Sequence, residues 1–166
     1  MDIQADTLKV LVISGPNLDR LGRREPTIYG STSLEEIHRA LRRSAEDIGV
    51  TVDCRQSNFE GELIGWIGEA GDGAADGILI NPGALTHTSY ALYDALRAAL
   101  VPAVEVHLSN PDAREPFRRR SRVAPACVGR IAGFGAVSYR LALAGLVEHL
   151  RTNARSRPLA RTGRRV

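Results

Sequence analysis

Short apolar segments alternate with longer stretches of helical spacing from one end of the chain to the other. KVLVIS (9–14), VTVDCRQS (50–57), GILIN (77–81), AVEVHLS (103–109) and CVGRIAG (127–133) are rich in β-branched residues and predict five strands. Between them the spacing changes to that of helices. Ser33 and Glu36 form a capping box, Leu34, Ile37, Leu41 and Ile48 fall on one helical face, and Gly49 supplies a stop. Further helices are predicted near 61–70, 89–99 and 137–151. Strands 1, 3 and 4 are apolar almost throughout, as parallel strands covered on both faces must be. The succession of βα units predicts an α/β, flavodoxin-like three-layer sandwich with a five-stranded parallel sheet. No internal repeat interrupts it.

With 166 residues the chain suits one domain with a proper core. Its apolar runs fall short of a membrane span, and its first residues lack the basic and apolar regions of a secretory signal. With only Cys54 and Cys127 present, a reduced, cytoplasmic setting is expected. Charge divides unevenly. Six of the 22 basic residues (Arg151, Arg155, Arg157, Arg161, Arg164 and Arg165) lie in the last sixteen positions, which hold no acid. The remainder therefore carries 16 basic against 19 acidic side chains, a formal charge of −3. Residues 1–150 are expected to form a single flavodoxin-like domain, with 151–166 a disordered basic extension. Without interleaved aromatics or a nucleic-acid motif, that extension gives no reason to expect nucleic acid as a partner.

In such a fold ligands sit beyond the carboxyl ends of the strands. Those ends read Ser14-Gly15-Pro16-Asn17, Gln56-Ser57-Asn58, Asn81-Pro82-Gly83-Ala84-Leu85-Thr86-His87 and Glu105-Val106-His107-Leu108-Ser109-Asn110. No Cys/His spacing suits a metal and no carboxylate cluster suits Mg²⁺, so no metal is expected. A phosphoacceptor domain needs acidic residues and a lysine at these ends, and a nucleotide binder needs a phosphate loop; both are missing. Lysine usage narrows the chemistry further. Of the 22 basic residues 21 are Arg, and Lys9 stands at the wrong end of strand 1 for an imine-forming role. Carbonyl chemistry here would run by acid and base, with an enol or enolate as intermediate.

The long connection DRLGRREPTIYG (19–30) reads as a lid or a floppy loop. Its Tyr29 has two readings: a ring packed on the first helix, or a base whose phenolate is stabilised by Arg24. The second demands about 1.4 kcal/mol for each unit by which the phenol falls below its usual value near 10. Glu105 and His107, two apart on a strand, project to one face, where the carboxylate would orient an imidazole acting as general acid. A hydrogen-bonded structural His fits the same spacing. His87 reads equally as a residue that opens a helix. Arg114 and Arg118, four apart, would share a helical face, exposed to solvent or binding an anion or hydroxyl.

Four blocks, GPNLDRLGRREPTIYG, QSNFEGEL, INPGALTHTSYALYDAL and VEVHLSNPDAREPFRRRS, resemble in order and spacing the signatures of type II 3-dehydroquinate dehydratases. The resemblance spans about residues 8–150. It implies a lyase of the shikimate pathway that dehydrates 3-dehydroquinate to 3-dehydroshikimate by anti elimination through an enolate, with no cofactor. Tyr29 matches the family's base, Arg24 its partner in the lid, His107 the general acid and Glu105 the carboxylate behind it. Asn17 matches the residue holding a water against the enolate oxygen. Asn81, His87 and Arg118 match contacts to substrate hydroxyls, and Leu108 and Ser109 match backbone amides that grip the carboxylate. Asp94 matches a residue that reaches the site from a neighbouring subunit, which implies a homododecamer built from trimers. Ser14, Phe59, Leu85, Pro111-Asp112, Arg122 and 136–138 depart from the family's usual residues, and none is a catalytic position. The second reading is a weakened relative acting as a binding or regulatory subunit.

Overall fold

The computed structural model describes residues 7–23 and 26–156, with the side chains of Pro26, Tyr29, Arg155 and Ser156 outside that description. Five strands, β1 (Leu8–Ser14), β2 (Val50–Gln56), β3 (Gly77–Asn81), β4 (Ala103–His107) and β5 (Gly129–Ala132), form one sheet in the order β2-β1-β3-β4-β5. Every pairing is parallel. This is the flavodoxin-like order, with its switch between β1 and β3. Around the sheet lie α1 (Pro26–Tyr29), α2 (Leu34–Asp47), α3 (Glu60–Glu69), α4 (Tyr90–Ala99) and α5 (Val137–Ser156).

Alternation along the central strands divides the core in two. Val10 and Val12 of β1, Leu79 of β3 and Val104 of β4 pack with Ile37 and Leu41 of α2 and Leu143 and Leu146 of α5. Leu11 and Ile13, Ile78 and Ile80 face the opposite way, onto Leu63 and Ile67 of α3 and Leu92 and Leu96 of α4. Each such side chain contributes about 1.5–3 kcal/mol on complete burial, so a strand buried on both faces is apolar without a break. Among the described residues no helix is long and apolar enough to cross a membrane.

The capping box is present, with Ser33 Oγ accepting from Glu36 N at 3.3 Å and Glu36 Oε2 accepting from Ser33 N at 2.8 Å. Gly49 ends that helix with φ of 67°. Ile48, expected on the buried face, instead sits past the last helical residue and is 37% exposed. α5 does not stop at Arg151 but runs to Ser156. Arg151 Nη2 donates to Ile48 O at 2.6 Å, tying the start of the basic segment to the end of α2. Residues 157–166 lie outside the described residues. The segment carrying Arg114 and Arg118 is not one helix. It is two tight 3₁₀ turns, Pro111–Ala113 and Pro116–Arg119, with Arg114 and Glu115 between them; Pro116 biases Glu115, the residue before it, away from helix.

Candidate active site

The loops after β1 and β3 meet at a distance only glycine permits. A Cβ on Gly15 would lie 2.6 Å from Pro82 O, and one on Gly83, at φ of 59°, would lie 2.9 Å from Pro16 O. Gly15 N also donates to Asn81 O at 2.8 Å, carrying the strand pairing one residue further. Asn17 then adopts a left-handed conformation (φ 66°), which asparagine tolerates better than most residues. Its N–H donates to Asn58 Oδ1 at 2.8 Å, and Gln56 Nε2 donates to the same oxygen at 3.2 Å. The QSN sequence after β2 is thus the frame that holds Asn17.

Glu105 and His107 lie on one face of β4, as their spacing predicts. Glu105 has no exposed surface, and His107 is 8% exposed. His107 Nε2 donates to Glu105 Oε1, which leaves Nδ1 as the position for a second proton when the ring is charged. Thr86 Oγ1 donates to the same oxygen at 2.7 Å, and Ser121 Oγ to Oε2 at 2.8 Å. Ser121 Oγ is itself fixed by the N–H groups of Val123 and Ala124. Burial alone would raise the carboxyl's proton affinity; the hydrogen bond and charge of His107, with the two hydroxyls, outweigh it and hold Glu105 below the usual carboxylate range. The carboxylate is therefore a fixed anion behind the imidazole.

A cavity opens in front of this pair. Asn17 lines it from the loop after β1, Asn81 from the end of β3 and His87 from the turn that follows; His107, Leu108, Ser109 and Arg118 line it from β4 onward. Arg114 lines it as well, with Nη1 3.4 Å from Ser109 Oγ. His87 belongs to the 3₁₀ turn Gly83–His87 and stands edge-on to Phe117, the ring centroids 5.8 Å apart. Its Nδ1 donates to Arg120 O at 2.8 Å. Burial, then the charges of Arg118 and His107, lower its proton affinity, so at neutral pH its Nε2 is an acceptor for a hydroxyl.

Of the expected site residues, Arg24 lies outside the described residues, as does the side chain of Tyr29; the backbone of Tyr29 ends the short helix α1. Asp94 is exposed on α4 and does not line this cavity. Other groups emerge that spacing did not single out. Thr86, Ser121 and Arg130 all reach Glu105 from separate elements; Arg130, its partner in the β4–β5 register, places Nε 3.6 Å from Oε1. Arg130 Nε and Nη2 are buried and hydrogen-bonded to nothing among the described residues. Only the strand order, with β5 next to β4, would have pointed to Arg130.

Comparison with known proteins gives a consistent result. Residues 8–147 match the family model described as dehydroquinase class II. The chain is 56% identical to the 3-dehydroquinate dehydratase of Parasynechococcus marenigrum over 146 residues, covering 88% of this chain and 99% of that protein. It is 53% identical to the enzyme of the same name from Thermus thermophilus over 141 residues, covering 85% and 95%. The crystal structure of type II dehydroquinase from Butyrivibrio crossotus superposes with a TM-score of 0.84 at 43% identity, covering 86% of this chain and 99% of that one.

Proposed function

The chain belongs to the class II dehydroquinase family, and we propose that it is a lyase that dehydrates 3-dehydroquinate to 3-dehydroshikimate by anti elimination through an enolate. The phenolate of Tyr29, stabilised by Arg24, takes the proton from the carbon next to the ketone. The enolate forms beside a water held by Asn17 and then collapses, expelling the hydroxyl as His107 delivers a proton to it, so that water leaves. Tyr29 and His107 regain their starting states by exchange of one proton each. Asn81, His87 and Arg118 bind the substrate's hydroxyls, and the N–H groups of Leu108 and Ser109 bind its carboxylate. Asp94 serves the site of a neighbouring subunit in a dodecamer of trimers, in the cytoplasm. No cofactor takes part.

The observation that carries this reading is the buried Glu105 behind His107, held by Thr86 and Ser121 and opening onto a polar cavity. Such a carboxylate stabilises the charged imidazole and fixes its ring, which an acid facing a poor leaving group requires. The reading is tested by following conjugated-enone absorbance on adding 3-dehydroquinate. A steady rise is expected, and His107→Ala should lower kcat about 10²–10⁴-fold. Tyr29→Phe should abolish turnover, and borohydride added with substrate should leave activity intact because Lys9 stands at the far end of β1 from Ser14. No rise with the assembled protein sinks the activity; an undiminished His107→Ala variant sinks the acid assignment.

A further inference from the structure

Asn81 is the last residue of β3, 2% exposed, and its amide has a definite orientation. Its Oδ1 accepts from Gly83 N at 3.2 Å, which points Nδ2 the other way, toward the hydroxyl of Tyr139 at 3.1 Å. Tyr139 enters from the first turn of α5 and is 1% exposed. Because an amide nitrogen can only donate, the phenol oxygen accepts, and its own hydrogen turns elsewhere. Ser14 Oγ lies 3.5 Å from it and 3.4 Å from His38 Nε2, both at the long end of hydrogen bonding. The strong link in this buried set is therefore the one between Tyr139 and Asn81. It leaves Asn81 one N–H and one lone pair for the cavity that it lines.

We propose that Tyr139 is a positioning residue, whose buried hydroxyl holds one Nδ2–H of Asn81 so that the rest of the amide is presented at a fixed angle to a substrate hydroxyl. This rests on the reading of Asn81 as a substrate contact. The physical case is that a terminal amide has a broad rotational well. One backbone N–H on Oδ1 constrains it at a single point, and a second contact on Nδ2 is needed to fix the plane. Removing the phenol oxygen leaves a buried donor unpaired, and the amide turns or draws in water to satisfy it. Binding suffers, while the groups that move protons stay where they were.

The test is steady-state kinetics on the assembled enzyme with 3-dehydroquinate for Tyr139→Phe, Asn81→Ala and the double variant. Tyr139→Phe should raise KM about five- to tenfold with kcat within about twofold, the loss of one good hydrogen bond falling on uniform binding. In the Asn81→Ala background the same change should add nothing, because the group it positions is gone. A merely structural role behaves differently: it lowers apparent kcat at unchanged KM, by the same factor in both backgrounds. Either that pattern or kinetics identical to the parent overturns the proposal. If Asn81→Ala is itself silent, the reading of Asn81 fails; if Asn81→Ala is impaired and Tyr139→Phe is silent, only the role of Tyr139 does. Should Tyr139→Phe not assemble, Tyr139→Met removes the same hydroxyl with a side chain that adapts to the space it leaves. A raised KM that vanishes in the Asn81→Ala background supports the proposal, and an unchanged KM overturns it.

Discussion

His38 and Glu105 are both buried, yet burial leaves one neutral and the other charged. Glu105 receives an imidazole and two hydroxyls, enough to outweigh the loss of water. His38 has the hydroxyl of Ser14 at 3.4 Å, and burial first, then the charge of Arg42, pushes its proton affinity down to about 4 from an ordinary 6.5. The unfolded chain takes up a proton near 6.5 that the folded chain refuses until about 4. The stability this represents is thus complete above the higher value and is lost as pH falls toward the lower one. Between pH 7 and 5 the loss amounts to about 2 kcal/mol. Urea unfolding at those two pH values should show that drop in the parent and a smaller one, by about the same amount, in His38→Gln. An equal drop in both proteins would show that His38 takes its proton as readily when folded. Glu105 also contributes stability that acid removes, beginning where a free carboxylate takes its proton, near 4.5, so its window opens as that of His38 closes.

At the scale of elements, the site exists because two loops cross where there is no room for a Cβ. Gly15→Ala would press a methyl against Pro82 O and should cost about 1–3 kcal/mol, by analogy with overpacked cores. Because Pro82 lies between Asn81 and Gly83, the same change should displace Asn81 and lower kcat/KM along with the melting temperature. Gly65, exposed in α3 with nothing within 4 Å of where a Cβ would stand, is the control: Gly65→Ala should be neutral or stabilising by up to about 1 kcal/mol. Equal melting temperatures for the two variants would refute the close approach. Such crossings show where sequence stops being informative. β3 was legible to the residue because a run buried on both faces leaves no other reading, and the capping box of α2 is a local signal. β5 begins two residues later than its apolar pattern because Cys127 closes the turn Ala124–Ala126, its N–H donating to Ala124 O, and β4 first pairs with the strand at Gly129. α5 passes Arg151 because no glycine or proline stops it before Pro158. Glu105 and His107 could be paired from their spacing, whereas Thr86, Ser121 and Arg130 come to the carboxylate from three distant stretches, and only the folded topology joins them.

On the scale of the whole molecule, Asp94 poses the sharpest question. Its helix packs on the sheet through Leu92 and Leu96, while Asp94 faces outward and away from the cavity of its own subunit. A substrate contact by Asp94 therefore requires another copy of the chain, and the site becomes a property of the assembly. Mixing defects distinguishes this from a role within one subunit. In assemblies co-expressed from His107→Ala and Asp94→Asn chains, an Asp94→Asn subunit keeps its own His107 and borrows an intact Asp94 from a His107→Ala neighbour. Random assembly of equal amounts should restore about a quarter of the sites, well above the average of the two parent variants assayed separately. If Asp94 acts within its own subunit, every site keeps one lesion or the other, and the mixture cannot exceed that average. The comparison needs both variants to assemble like the parent, which their oligomeric mass in solution checks directly. Activity above the average would make the subunit contact part of the active site, and dilution that separates subunits should then abolish turnover while leaving each fold intact.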